Sequence, residues 1–161
     1  VYNQFKSEFR ELQENNDINN PFRICIRKRP IMNWEREMNA YDIVNTNDLL
    51  YNPLSNIVAI HNGKLARNGR QLSMSHHHFF VSRYFSEFTS NTEVANDAIE
   101  PHIKWAESGK DSTIMFYGQT GTGKTYSMLG TLNHIALRLS GMKLMITFYE
   151  IRGKKCYDLL N

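Results

Sequence analysis

The stretch Gly118-Gln119-Thr120-Gly121-Thr122-Gly123-Lys124-Thr125 constrains this chain more than any other feature. It satisfies G-x-x-x-x-G-K-[ST] at every fixed position, a pattern that functions only between a buried strand and the start of a helix. Glycines let the backbone turn successive N–H groups inward as an anion-binding nest. A helix beginning near Lys124 adds its positive dipole end at the same point. Lys124 is placed to reach β- and γ-phosphates, and the Thr125 hydroxyl suits Mg²⁺, which needs few protein ligands. The alternative is an ordinary glycine-rich strand-to-helix turn.

The flanking pattern agrees with the motif. Thr113-Ile114-Met115-Phe116-Tyr117 is a short apolar run of the kind buried on both faces in a parallel sheet. A helix is expected from Lys124, a second apolar strand over Leu144 to Tyr149, a turn at Gly153-Lys154 and a return strand over Lys155 to Leu160. Upstream, Val94, Ala98, Ile99, Ile103 and Ala106 form one helical face. Asn91 or Thr92 is the candidate cap, Pro101 a kink or a division of the run, and Ser108-Gly109-Lys110 the stop. Phe22 to Arg27 reads as a strand, with Ile24 and Ile26 facing opposite to Arg23, Cys25 and Arg27, and Pro30 ending it. Residues 41 to 72 read as a small antiparallel lobe, with strands at Tyr41–Val44 and Asn56–Ile60 and turns at Asn62-Gly63 and Asn68-Gly69. Phe5, Phe9 and Leu12 share a helix face that ends in the asparagine-rich run before Pro21. The sum is an α/β sheet packed by helices.

Composition narrows the function classes. With 161 residues, the chain is one domain's worth, large enough to bury a core without staples. No apolar run approaches the ~20 residues of a membrane span, and the polar, amphipathic start argues against a signal peptide at this end. A net charge of +3, from 19 Lys+Arg against 16 Asp+Glu, does not imply nucleic acid and only permits an acidic partner surface. Cys25 and Cys156 suit reduced intracellular thiols, with Cys25 a small buried hydrophobe. Asparagine, 17 residues in all, reflects either loop-rich connections or a biased genome.

Other candidate chemistry is thin. Phosphoryl transfer also needs a water-positioning residue and an acid on the metal side. Glu150, closing the run from Leu144, is either that acid or a structural strand end. His76-His77-His78 alternate faces on a strand and cannot all converge on a metal. No nucleophile–histidine constellation is present, and no catalytic residue is assigned in this chain.

Taken together, these segments resemble the kinesin motor domain. Tyr117 to Met128 is similar to the kinesin form of the phosphate loop, Arg27-Lys28-Arg29-Pro30 to its R-x-R-P element, and Phe148-Tyr149-Glu150-Ile151 with Tyr157 to Asn161 to its next strand pair. The resemblance implies a P-loop NTPase-like fold with a mostly parallel central sheet flanked by helices, plus the small antiparallel lobe. Residues 1–20 would be a neck-like helix and linker, and 21–161 the N-terminal half of the motor. It also implies ATP/ADP and Mg as ligands. Gln119, Thr120, Gly121, Thr122, Gly123, Lys124 and Thr125 would hold the phosphates, with Thr125 on the metal. Arg27, Arg29 and Pro30 would flank the adenine, with Tyr126 stacking on its other face.

The opening strand and Phe5 to Leu12 look like those of the microtubule-depolymerising kinesin-13 class, and His61 and Lys64-Leu65 fit the start of its finger loop. The finger's Lys-Val-Asp tip falls at Ala66-Arg67-Asn68 here, and Ser82 stands where many members carry aspartate. The two nucleotide switches and most of the microtubule surface would lie beyond Asn161. Gly130 to Lys143 is short for the family, through either missing residues or a reduced loop. The resemblance thus implies the ATP-binding half of a microtubule motor at the cytoplasmic cytoskeleton, with tubulin as partner of the intact protein and ATPase activity only there. The alternatives are a non-catalytic nucleotide- or partner-binding module and an unrelated P-loop ATPase using Glu150.

Overall fold

A computed structural model describes residues 22–46, 57–65, 69 and 71–160. The expected N-terminal helix, the 1–20 unit and the Ala66-Arg67-Asn68 tip lie outside the described residues.

The structure begins with β1 (Cys25–Arg27), which pairs in parallel with β5 (Arg83–Phe85) in the register Cys25↔Arg83, Ile26↔Tyr84, Arg27↔Phe85. Ser82 extends this seam: its N–H donates to the Ile24 carbonyl (2.8 Å), and its hydroxyl accepts from the Ile24 N–H (3.1 Å). Between these strands lie α1 (Asn33–Glu37) and an antiparallel sheet of order β2 (Val44–Thr46), β3 (Ile57–Leu65), β4 (Leu72–Phe80). The expected antiparallel lobe is therefore present. Its turn is not at Asn62-Gly63, because Asn62 pairs with Ser75 and Gly63 with Met74 inside the ladder. β3 ends at Leu65 and β4 begins at Leu72, and Asn68 of the other expected turn lies outside the described residues.

The helical face assembles the main core. α2 (Asn91–Val94) runs into a π-helical stretch, Ala95–Ile99, and then α3 (Glu100–Glu107). Ser90, one residue before the expected caps, accepts from the Glu93 N–H (3.2 Å), and the Glu93 carboxylate returns to the Ser90 N–H (2.8 Å). Pro101 has no N–H for the Asp97 carbonyl, and Arg23 Nη1 donates there instead (3.1 Å). The run is divided at the proline, as expected: the π-helical stretch ends at Ile99 and an α-helix opens with Pro101 in its first turn. Of the expected face, Val94, Ile99 and Ile103 are buried and Ala98 packs against the core, Ala95 joins them, and Ala106 is exposed. Ile114, Ile135 and Leu139 pack against this cluster, the last two from α4 (Lys124–Arg138).

Two apolar runs differ from expectation. Thr113–Tyr117 joins no ladder among the described residues, and only alternate side chains turn inward: Ile114 packs on the core while Met115 and Tyr117 are 81% and 94% exposed. Leu144 to Phe148 likewise precedes, rather than forms, the strand β6 (Tyr149–Arg152), which pairs antiparallel with β7 (Lys155–Asp158) through the Gly153-Lys154 turn. Among the described residues, the parallel component of the sheet is the β1–β5 pair. Both cysteines are free and exposed, so Cys25 is not the buried hydrophobe expected of it. No described helix is long and apolar enough to cross a membrane.

Candidate functional site

The glycine loop has the backbone its sequence demands. Gly118, Gly121 and Gly123 have φ of 152°, 83° and 91°. At Gly118 a Cβ would also lie 2.6 Å from Thr122 Oγ1, so no other residue fits there without displacing the loop. Gly123 caps α4 with left-handed backbone, leaving the helix's first N–H groups free of a side-chain cap. The loop is braced internally, with the Thr122 hydroxyl donating to the Gln119 carbonyl at 2.7 Å. Lys124 Nζ donates to the carbonyls of Gly118 (2.6 Å) and Gln119 (2.8 Å), which holds the ammonium against the loop. Gln119, Thr120, Gly121 and Thr125 are exposed at its outer side.

The strand-end arginines meet this loop across the fold. Arg29 Cγ and Cδ lie 3.9 Å from where a Gly123 Cβ would sit, and the Arg29 guanidinium is held by Glu35 at 2.9 and 2.5 Å. That contact keeps the Glu35 carboxyl below its ordinary value and the guanidinium above its own. Arg27 leaves β1 toward α4: its Cζ stands 5.1 Å from the Tyr126 ring centroid. Its Nη1 donates to Asn91 Oδ1 (2.5 Å) and Ser127 Oγ (3.1 Å), and its Nη2 to the Thr89 carbonyl (2.9 Å). Tyr126 remains 63% exposed, and Pro30 is exposed beside Arg29. Lys28 is turned away, paired with Asp42 and with Glu87 (3.1 Å). Burial pulls its ammonium down, but these two carboxylates outweigh it and leave the group raised.

Sequence reasoning did not find Asn91 or Ser127 as members of this site. The available signal was Gly130, a glycine inside a helix, where a Cβ would lie 2.5 Å from both Cγ and Nδ2 of Asn91. Glu35 was missed because α1 was not expected: Met32 is no capping residue, and Glu35 alone supplies the return half of the cap, accepting from the Met32 N–H at 2.8 Å.

The other candidates do not join the site. Glu150 forms an ion pair with Arg152 (2.7 Å) on the β6–β7 hairpin. His61 and His76 contact edge-to-face across β3 and β4, with 2.7 Å between their Nδ1 atoms, and the described residues hold no group of three or more metal-ligating side chains. An open hollow of about 620 Å³ separates β1 from Thr113–Gly118. Unlike Glu150 and the histidines, this hollow borders the site: its apolar walls, Ile24, Ile26 and Ile99 among them, run up to Arg27, Gly118, Gly123 and Lys124. Gln119, Thr120 and Gly121 of the loop are open to solvent. The loop's glycine cradle, the adjoining ammonium and a helix N-terminus fit a polyphosphate, and the exposed Thr125 hydroxyl fits a hard, water-keeping cation.

Comparison with known proteins identifies the family. A profile of the kinesin motor domain matches residues 27–161. The kinesin-like protein KIN-13B of Arabidopsis thaliana is 32% identical over 149 residues, covering 86% of this chain and 21% of that protein. The kinesin-like protein KIF24 of Homo sapiens is 30% identical over 155 residues, covering 86% of the chain and 11% of the relative. The kinesin-like protein KIN-13A of Oryza sativa subsp. japonica is 28% identical over 171 residues, covering 99% and 20% respectively. The chain thus spans a small part of the length of these relatives, two of which carry kinesin-13 names. It belongs to the kinesin motor domain family.

Proposed function

We propose that this chain is the ATP-binding part of a microtubule motor domain. The observation that carries the reading is the meeting of two distant segments: the Arg27–Pro30 strand end lies directly against the Gly118–Thr125 loop and the Tyr126 ring. A cradle for phosphates and a flat, cationic-aromatic surface for a base therefore adjoin. In this reading the backbone from Gln119 to Gly123 receives the phosphates, and Thr125 holds Mg²⁺. Tyr126 provides one stacking face for adenine, with Arg27, Arg29 and Pro30 bordering it. Lys124 donates to two neutral carbonyls; a phosphate oxygen is a charged acceptor, and such bonds are roughly twice as strong. The ammonium is thus poised to exchange its loop partners for phosphate. MgATP, when bound, supplies the phosphoanhydride whose hydrolysis drives motors.

For the whole protein we propose coupling of ATP hydrolysis to microtubule movement or depolymerisation at the cytoskeleton, with tubulin as partner. The finer architecture, a mostly parallel central sheet with helices on both sides, belongs to the same proposal. The reading is tested by calorimetric titration of the full-length protein with MgATP and MgADP. Binding is expected, and Lys124→Ala should weaken it at least about a hundredfold, since a charge-assisted contact to phosphate is lost and the loop's brace with it. Tight MgATP binding by the alanine variant would refute the assignment.

A further inference from the structure

We propose that Asn91 is a positioning residue for the base-stacking side of this site, acting through Arg27. The inference rests on the ATP reading above and adds a residue that the phosphate-loop and R-x-R-P patterns do not contain.

The argument starts at Arg27. A guanidinium is a planar fork, and its plane is fixed only when acceptors are arranged around it. Arg27 has three acceptors from two segments: the Thr89 carbonyl before α2 and Asn91 Oδ1 on its first turn, and Ser127 Oγ on α4. The Asn91 contact is the shortest, at 2.5 Å. With the fork so held, the Arg27 Cζ stands 5.1 Å from the Tyr126 centroid. Without it, a long and flexible side chain beside an exposed ring has many rotamers to sample.

Asn91 is itself fixed. Its amide sits in the notch left by Gly130, where a Cβ would lie 2.5 Å from Cγ and Nδ2 and 2.9 Å from Cβ of Asn91. Ser127 and Gly130 are three apart on α4, hence neighbours on one helix face. One face of α4 therefore carries a hydroxyl for Arg27 and a recess for the residue that aims it. The helix that begins at the phosphate loop thus also sets the angle of the arginine over Tyr126.

The two roles separate experimentally. A structural tie affects every ligand of the site, whereas a positioning role affects only ligands that carry a base. The test compares MgATP with Mg-tripolyphosphate, which has the phosphates and lacks the nucleoside, by calorimetry on the full-length protein. Asn91→Leu keeps the branched shape and removes the acceptor; Asn91→Asp keeps an acceptor oxygen. We expect the leucine variant to weaken MgATP roughly tenfold and tripolyphosphate less than about twofold, consistent with losing one hydrogen bond to a charged group. The aspartate variant should restore MgATP affinity to within about threefold of wild type. Unchanged MgATP affinity in Asn91→Leu, or equal weakening of both ligands, overturns the proposal. If Asn91→Leu gives no cooperative melt, Ser127→Ala carries the comparison, with roughly threefold weakening of MgATP alone expected; equal loss or none overturns it. A wild-type protein that binds tripolyphosphate and not MgATP overturns the ATP reading itself.

Discussion

Replacing Gly130 by alanine tests the packing beneath the site, because two effects of opposite sign compete there. Glycine in a helix interior is about 1 kcal/mol worse than alanine, so at an open position Gly130→Ala would stabilise α4. Position 130 is not open. The new Cβ would stand 2.5 Å from Asn91 Cγ and Nδ2 and 2.9 Å from Asn91 Cβ, distances that require something to move. Asn91 has a short side chain rooted in the first turn of α2, and its Oδ1 is engaged by Arg27, so relief requires shifting the helix or breaking that bond. Overpacking of this kind costs about 1–3 kcal/mol. The net expectation is destabilisation of up to about 2 kcal/mol. For a domain of this size that is a fall in melting temperature of up to roughly 6 °C, against a rise of roughly 3 °C if propensity alone acted. Thermal unfolding followed by circular dichroism distinguishes the two. Adding Asn91→Ala removes two of the three close atoms and should recover part of the loss, a coupling of at least about 0.5 kcal/mol. A Gly130→Ala protein that melts higher than wild type would refute the close approach of α2 and α4.

Further outcomes follow from the same geometry. Gly118→Ala places a methyl against Thr122 Oγ1 and should weaken MgATP at least about tenfold by calorimetry, with a stability loss of about 1–3 kcal/mol in urea. Acid should destabilise the fold in two steps. His102 is held below its ordinary 6.5 by burial and then by Arg23, so its folded form resists protonation and stability falls as pH drops below that value. Glu35, Glu93 and Glu100 lie below their ordinary 4.5 through Arg29, the Ser90 hydroxyl, and His134 with Arg138 respectively. Their contribution is present above 4.5 and lost as pH falls through their lowered folded values. Urea midpoints at about pH 7, 5.5 and 4 check both steps, and His102→Gln should remove the first; a flat profile across that range would count against the reading.

The parts of the fold that were legible in sequence are those where local chemistry and tertiary packing agree. The phosphate loop is legible because three positive-φ backbone positions need glycine wherever the chain is placed. The α4 helix, the β6–β7 turn and the stop at Gly109 follow for similar reasons. Errors fall where a tertiary demand overrode a local signal. Asn62-Gly63 is a strong turn dipeptide, yet nine consecutive cross-strand pairs from Ile57↔Phe80 to Leu65↔Leu72 carry it through as strand. The apolar periodicity over residues 94 to 106 put Ala106 on the buried face. Val94, Ile99 and Ile103 hold that face, but the π stretch Ala95–Ile99 departs from the regular repeat, and Ala95 is buried while Ala106 is exposed. The Thr113–Tyr117 run was read as buried on both faces, but burial of the second face depends on neighbouring strands that local composition does not specify.

The site shows the same division more sharply. The half proposed to hold phosphates lies on eight consecutive residues, and a contiguous motif can be read from sequence. The half proposed to hold the base is assembled from positions 27, 29, 91, 126 and 127, spread over a hundred residues and joined by tertiary contacts. No spacing rule links an arginine at a strand end to an asparagine on a later helix. What does leave a trace is the steric demand such a junction makes. A glycine at position 130 costs α4 helical stability, and a chain carries that cost where another group must come close. Gly130 is thus the sequence mark of the Asn91 wedge, as Gly118 is of the Thr122 brace.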